Sequence, residues 1–84
     1  MIKTTIKIPL DFAVKVDGIE VSELTLHRAK VIDQLNAQKI AEGPAEVELH
    51  LFASLCRVPA DSIKELDLLD YKKLQDGYVS FLGG

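Results

Sequence analysis

Residues 12–21 read FAVKVDGIEV, in which apolar and polar side chains alternate on both sides of an Asp-Gly pair. Alternation with a period of two is typical of strands that bury one face, and Asp17-Gly18 is a strong signal for a two-residue hairpin turn. The segment therefore predicts a β-hairpin with Val16 opposite Ile19 and Val14 opposite Val21.

The alternating pattern extends beyond the hairpin in both directions. Upstream, one face of an extended segment carries the apolar residues Ile2, Ile6 and Ile8. Pro9 lacks an N–H donor, which predicts that this first strand is short. Downstream, the apolar positions move to Leu24 and Leu26, which have the opposite parity from Val21. We expect a bulge or twist near Ser22-Glu23 to absorb this slip.

The remaining sequence has helical spacing. Arg28–Ala41 contains neither Gly nor Pro and carries a partial apolar stripe, which Gly43-Pro44 ends. Pro44 suits the first position of a second helix, with acidic residues near its positive end. The apolar character of Leu49–Leu55 all round this helix predicts that it lies between other elements, at the centre of the core.

The C-terminal part predicts one short turn and one more helix. Val58-Pro59 breaks the second helix, and Ser62–Glu65 has the spacing of a capping box for a single turn. Asp70 is a candidate cap for a last helix. That helix carries large apolar side chains at helical spacing: Tyr71, Leu74, Tyr78 and Phe81. The predicted fold class is α+β, a small N-terminal antiparallel β-hairpin or sheet followed by a three-helix C-terminal part, in a single domain over residues 1–84.

The composition favours a globular domain that needs help from another chain. The chain has 84 residues, of which 48% are hydrophobic and 27% charged, close to the averages for soluble domains. A core of this size contributes little stability alone, and the one cysteine, Cys56, cannot form an internal disulfide. We therefore expect a homo-oligomer or a partner protein.

The charge and the hydropathy pattern exclude several function classes. The net charge of −3 predicts no basic patch of the kind that neutralises phosphates, so neither nucleic acid nor an anionic membrane is expected as a partner. The apolar runs are far shorter than the ~20 residues of a membrane helix. The N-terminus alternates and does not resemble a signal peptide, so a reducing cytoplasm is the expected compartment.

No catalytic, cofactor or metal site is predicted. His27 and His50 lack the spacing of metal ligands, and Cys56 lies in an apolar helical stripe, which is typical of a buried residue. Two of the carboxylates of the second half are candidates for helix caps and the others fall between apolar positions, so no acid–base pair is predicted among them. No phosphate loop, nucleophile elbow or zinc-protease motif is present, so the chain is not expected to be an enzyme.

Two short signals suggest carrier proteins. The chain ends in Gly83-Gly84, as do small sulfur carriers of the β-grasp fold, but those folds need further strands after their helix. Asp61-Ser62-Ile63 looks like the pantetheine attachment site of acyl carrier proteins, which are all-helical. A serine that caps a helix is the simpler interpretation of Ser62.

The order of the motifs resembles the E-like tail assembly chaperones of long-tailed bacteriophages. The resemblance covers nearly the whole chain and is carried by four segments: VSELTLHR at 21–28, LFASLCRV at 51–58, IKELDLLDYKKL at 63–74 and VSFL at 79–82. In that family a Pro commonly follows the strand, where this chain has Ala29-Lys30. The resemblance therefore does not define how the strand connects to the first helix or where that helix begins.

The resemblance implies a non-enzymatic protein of the host bacterial cytoplasm that binds the phage tape-measure protein and is absent from the mature virion. It also implies that a frameshifted, longer product could recruit the tail-tube protein. A small structural tail subunit remains an alternative function.

A tape-measure protein is a long amphipathic helix, so we expect binding in an apolar groove. Large side chains of the last two helices are the predicted partner-binding residues: Phe52, Tyr71, Leu74, Tyr78 and Phe81. The same side chains could equally form the core of the domain.

Overall fold

The computed structural model describes residues 4–83, which form a two-stranded antiparallel sheet followed by helices. The elements in chain order are β1 (Thr5–Val16), β2 (Ile19–His27), α1 (Val31–Ile40), α2 (Pro44–Cys56), α3 (Ala60–Lys64) and α4 (Leu68–Gly83). The predicted α+β class is confirmed. The three predicted helices correspond to α1, α2 and α4, and α3 is the single turn predicted between the last two.

The hairpin forms in the predicted register, with Val16 paired to Ile19 and Val14 to Val21. Asp17 and Gly18 both have positive φ, 52° and 82°, as a type I′ turn requires. The prediction of a short first strand is wrong, because β1 continues through Pro9 without a break. Ile2, which was placed in that strand, lies outside the described residues.

A bulge in β1 separates two regular parts of the sheet. Pro9 pairs with Glu23 and the next pair joins Val14 to Val21, so residues 10–13 face Ser22 alone. The slip predicted near Ser22-Glu23 is thus confirmed, and the extra residues lie in β1. A bulge of this size leaves backbone N–H groups of β1 without partners in β2.

Asp70 of α4 binds the bulge. Its Oδ1 accepts the N–H of Asp11 at an N–O distance of 3.0 Å, and its Oδ2 accepts that of Phe12 at 3.1 Å. Lys73 Nζ lies 3.1 Å from Asp70 Oδ1 and donates to the carbonyl oxygen of Pro9 at 3.1 Å. We call this arrangement of Pro9, Asp11, Phe12, Asp70 and Lys73 the bulge clamp. It joins α4 to residues of β1 that lie 58 to 64 positions earlier in the sequence.

The expectation that Asp70 caps the last helix is wrong. The helix begins at Leu68, and Asp67 Oδ2 accepts the N–H of Leu69 at 3.0 Å, so Asp67 fills that role. Asp70 is completely buried. The hydrogen bond from the Asp11 N–H is the largest influence on its pKa and lowers it below the ordinary value, and those from Phe12 and Lys73 act in the same direction.

Ser62 also has a different role from the predicted cap. It lies inside α3, where its buried Oγ donates to the carbonyl oxygen of Lys15 at 2.9 Å. This bond attaches α3 to the part of β1 between the bulge and the turn. A buried, bonded hydroxyl is also a poor attachment site for a carrier group.

The core lies between the sheet and the helices, with α2 at its centre as predicted. Phe52 of α2, Leu26 of β2 and Leu74 of α4 are fully buried. Gly77 lets α4 approach the sheet closely, because a Cβ there would lie 3.1 Å from Ile8 Cδ1 and 3.2 Å from Leu26 Cδ2. Pro44 occupies the start of α2, as its sequence position predicts.

The bulge clamp generates a stability prediction. Asp70→Asn keeps the size of the side chain but removes one acceptor oxygen and the charge that attracts Lys73. We expect a clearly lower midpoint of thermal unfolding at about pH 7. Because the folded-state pKa of Asp70 lies below the unfolded value of about 3.9, its stabilising effect is complete above that value and is lost as the pH falls. The difference between wild type and variant should therefore shrink as the pH falls below about 3.9.

Asp76→Asn is the matched control. Asp76 lies on the same helix in an exposed pair with Lys72, with an Nζ–Oδ1 distance of 3.5 Å, so its loss should change the midpoint little. Equal midpoints for Asp70→Asn and wild type at neutral pH would contradict the role of the clamp.

Candidate partner-binding surface

The five residues predicted to bind a partner divide into two groups. Phe52 and Leu74 are 0% exposed and Phe81 is 7% exposed, so the folded chain offers no contact surface at these three positions. Tyr71 and Tyr78 are half-buried at the edge of the same cluster. The partner-binding role of the five residues stays a prediction. The structure places Phe52, Leu74 and Phe81 in the core, which was the alternative role considered for them.

Phe52 organises an aromatic cluster with the two tyrosines. Its ring centroid lies 5.6 Å from that of Tyr71 and 5.5 Å from that of Tyr78, both in tilted orientations. The Tyr71 hydroxyl donates to Glu48 Oε1 at 2.7 Å, and Gln75 Nε2 donates to the same oxygen at 2.9 Å. Burial, followed by the bond to Glu48, raises the pKa of Tyr71 above its ordinary value. These tyrosines are fixed by intramolecular contacts.

Helix α1 presents its apolar side to solvent. The residues of α1 that lie against the domain are Asp33, Gln34 and the buried Ala37. Val31, Ile32 and Leu35 are exposed, and Val31 is 77% exposed. A surface helix normally buries its apolar stripe, so this arrangement leaves a face without a cover in the described chain. We call Val31, Ile32 and Leu35 the α1 face.

Local bonds hold α1 in this orientation. Asp33 Oδ2 accepts the N–H of Lys30 at 2.8 Å, which fixes the first turn of the helix. The helix therefore starts at Val31 rather than near Arg28. Residues 28–30 connect the end of β2 to α1, a connection that the sequence did not define. His27 Nδ1 lies 2.8 Å from the carbonyl oxygen of Leu55, which attaches the end of β2 to α2 just before this joint.

A cluster of basic side chains borders the α1 face. Arg28, Lys30 and Arg57 are exposed and line a groove together with Ile32 and the acidic residue Asp33. Between residues 4 and 83, no carboxylate lies within ion-pair distance of these three. The overall charge of −3 gave no indication of this basic rim, which forms only when the end of α2 meets the β2–α1 joint.

Arg57 occupies a strained position in this rim. It follows the last residue of α2 with φ of 58° and ψ of 44°, in the left-handed region. Its N–H donates to the carbonyl oxygen of Ser54 at 3.1 Å, and the N–H of Val58 donates to that of Ala53 at 3.0 Å. This Schellman motif usually has Gly at the position of Arg57, because a side chain there costs roughly 1 kcal/mol.

Within the described residues, neither the cysteine nor a metal cluster forms a reactive site at this surface. Burial raises the pKa of the Cys56 thiol to about 12, which keeps it protonated and agrees with its predicted place in the core. Within residues 4–83, no three His, Cys, Asp or Glu side chains are arranged to hold a metal ion. No described helix combines the length and hydropathy that crossing a membrane requires.

Comparison with known proteins identifies a family. A family model described as "Phage tail assembly chaperone proteins, E, or 41 or 14" matches residues 7–83. No curated protein and no solved structure matches the chain significantly. The matched range includes the helices α1 to α4 and most of the hairpin, and therefore the α1 face and its basic rim.

The burial of the aromatic cluster predicts how substitutions in it behave. Phe52→Ala removes a fully buried ring and should lower the free energy of unfolding by about 3–5 kcal/mol. Ile32→Ser, on the exposed α1 face, should change it by no more than about 0.5 kcal/mol. Urea unfolding followed by circular dichroism measures both. A Phe52→Ala variant as stable as wild type would contradict the core role.

Proposed function

The chain belongs to the phage tail assembly chaperone family, and we propose that it binds the phage tape-measure protein and keeps it soluble until the tail tube assembles. The observation that supports this function best is the uncovered α1 face. A chaperone of this kind has to shield apolar surface of its client, and α1 offers apolar side chains outside the core for that purpose.

The binding mode we propose is helix against helix. The exposed side chains Val31, Ile32 and Leu35 occupy about one turn of α1, so they form a compact patch rather than a long seam. An amphipathic helix of the tape-measure protein would place its own apolar stripe on this patch. Transfer of apolar surface out of water on both sides stabilises the complex.

The basic rim adds selectivity to this contact. Arg28, Lys30 and Arg57 border the patch without intramolecular carboxylate partners in the described chain. The tape-measure segment that fits best therefore has Asp or Glu beside its apolar stripe. Such charge complementarity speeds association and orients the two helices more than it increases affinity.

Further parts of the proposal concern the life of the protein in the infected cell. We place it in the host bacterial cytoplasm as a non-enzymatic factor that is absent from the finished virion. A longer, frameshifted form would add contact with the tail-tube protein. If the chain is instead a structural tail subunit, it will be present in purified particles, so mass spectrometry of virions separates the two functions.

The sulfur-carrier alternative receives no support from the fold. From residue 28 to residue 83 the described chain contains helices and no strand, whereas the β-grasp fold needs further strands after its helix. Gly84, the residue that would carry the sulfur, lies outside the described residues.

Co-expression with the tape-measure protein tests the proposed function. Wild type should convert a tape-measure protein that is insoluble alone into a soluble complex that co-elutes in affinity and size-exclusion chromatography. The double variant Ile32→Ser, Leu35→Ser should lose most of this activity, because it removes the apolar patch while leaving the core intact. Ile19→Ser is the matched control, since Ile19 is also apolar and exposed but lies at the hairpin turn.

Arg57→Gly provides a second, independent variant. Glycine adopts the backbone conformation of residue 57 without strain, so the variant should be at least as stable as wild type. It nevertheless removes one charge of the basic rim and should weaken the complex, most clearly at low salt. Full solubilisation by both the α1 double variant and Arg57→Gly would refute binding at this surface.

A further inference from the structure

The outward side of α4 carries a second exposed apolar surface. Positions 68, 72, 76, 79 and 82 follow one another at intervals of four, four, three and three residues, which keeps them on one side of the helix. All five are exposed in the described chain, and Leu68 is 81% exposed. Leu69 lies beside Leu68 and is also exposed. We call this surface the α4 face: Leu68, Leu69, Lys72, Asp76, Val79 and Leu82.

The α4 face has a two-fold pattern. Its apolar residues lie at the two ends, Leu68 and Leu69 near the start and Val79 and Leu82 near the end. Its charged residues lie in the middle and have opposite signs, and Lys72 and Asp76 already pair with each other within the helix at 3.5 Å. A two-fold axis through the middle of the helix would exchange the apolar ends and bring each charge opposite its counter-charge.

We propose that α4 pairs antiparallel with α4 of a second copy of this chain. In that arrangement Leu68 and Leu69 lie against Val79 and Leu82 of the second copy, and Lys72 lies against Asp76 of the second copy. Each of these contacts occurs twice, as a two-fold symmetric interface requires. The helix of 16 residues is about 24 Å long, so the paired surface is small and the dimer dissociates at low concentration.

Charge explains why α4 and not α1 meets the second copy. The rim of the α1 face is basic, so two α1 faces would bring Arg28, Lys30 and Arg57 of both copies together and repel. The α4 face carries one charge of each sign, so pairing it with its own copy brings no like charges together. The two surfaces therefore suit different occupants, and α4 pairing leaves the α1 face free for the tape-measure protein.

A charge exchange between two variants tests the pairing without changing the core. Lys72→Glu alone places a carboxylate opposite Asp76 of an identical second copy, and Asp76→Lys alone places two ammonium groups opposite each other. Each variant should dimerise about tenfold more weakly than wild type. A mixture of the two variants should restore dimerisation. Each variant brings like charges together when it pairs with itself, whereas the mixed dimer does not.

The mixed dimer follows from the two-fold geometry. At one contact the new carboxylate of the Lys72→Glu copy meets the new ammonium group of the Asp76→Lys copy. At the other contact the original Asp76 of the first copy meets the original Lys72 of the second. Both contacts of the mixed dimer therefore join opposite charges, as in the wild type.

Sedimentation equilibrium of the purified chain measures the dimer dissociation constant, and native mass spectrometry counts mixed and identical dimers. Val79→Ser should weaken the dimer through the apolar contact, whereas Ile32→Ser on the α1 face should not. The chain is used alone, so failure of this pairing is distinguishable from failure of the proposed chaperone function. A wild type that stays monomeric at high micromolar concentration, or a mixture with no preference for mixed dimers, would overturn the proposal.

Discussion

The two hydrogen bonds from the bulge of β1 to the carboxylate of Asp70 hold the sheet and the last helix together. Residues 10–13 have no matching stretch in β2, so the N–H groups of Asp11 and Phe12 need other acceptors. Leaving such a part-buried N–H without an acceptor destabilises a fold by roughly 1–3 kcal/mol. One side chain satisfies both groups, and because it belongs to α4 it also fixes that helix across β1.

The position of α4 determines which side chains remain for a partner. With α4 held on the sheet at the close approach of Gly77, Leu74 and Phe81 point inward and join Phe52 of α2 in the core. These three large side chains are thereby used inside the domain. Helix α1 adds only Ala37 to this core and turns its larger apolar residues toward solvent, next to the basic rim. The clamp therefore fixes which side of α4 faces the core, whereas the orientation of α1 depends on its own local bonds.

Local signals predicted much of this fold. Asp17-Gly18 predicted the turn and register of the hairpin, and the all-round apolar character of Leu49–Leu55 predicted the central helix. The roles of Asp70 and Ser62 were predicted wrongly because cap spacing is local, whereas their actual partners lie 59 and 47 residues away in the sequence. The direction of the α1 face could not be predicted either, since a partial apolar stripe does not tell which side of a helix the rest of the domain covers.

Hydrogen–deuterium exchange of the complex with the tape-measure protein tests the central claim most directly. If the tape-measure helix binds the α1 face, amides of residues 28–40 should exchange more slowly in the complex than in the free chain, and those at the hairpin turn should not change. Unchanged exchange in α1, with new protection confined to α2 or to the region around Tyr71 and Tyr78, would contradict the account and place the binding surface on the aromatic edge of the core.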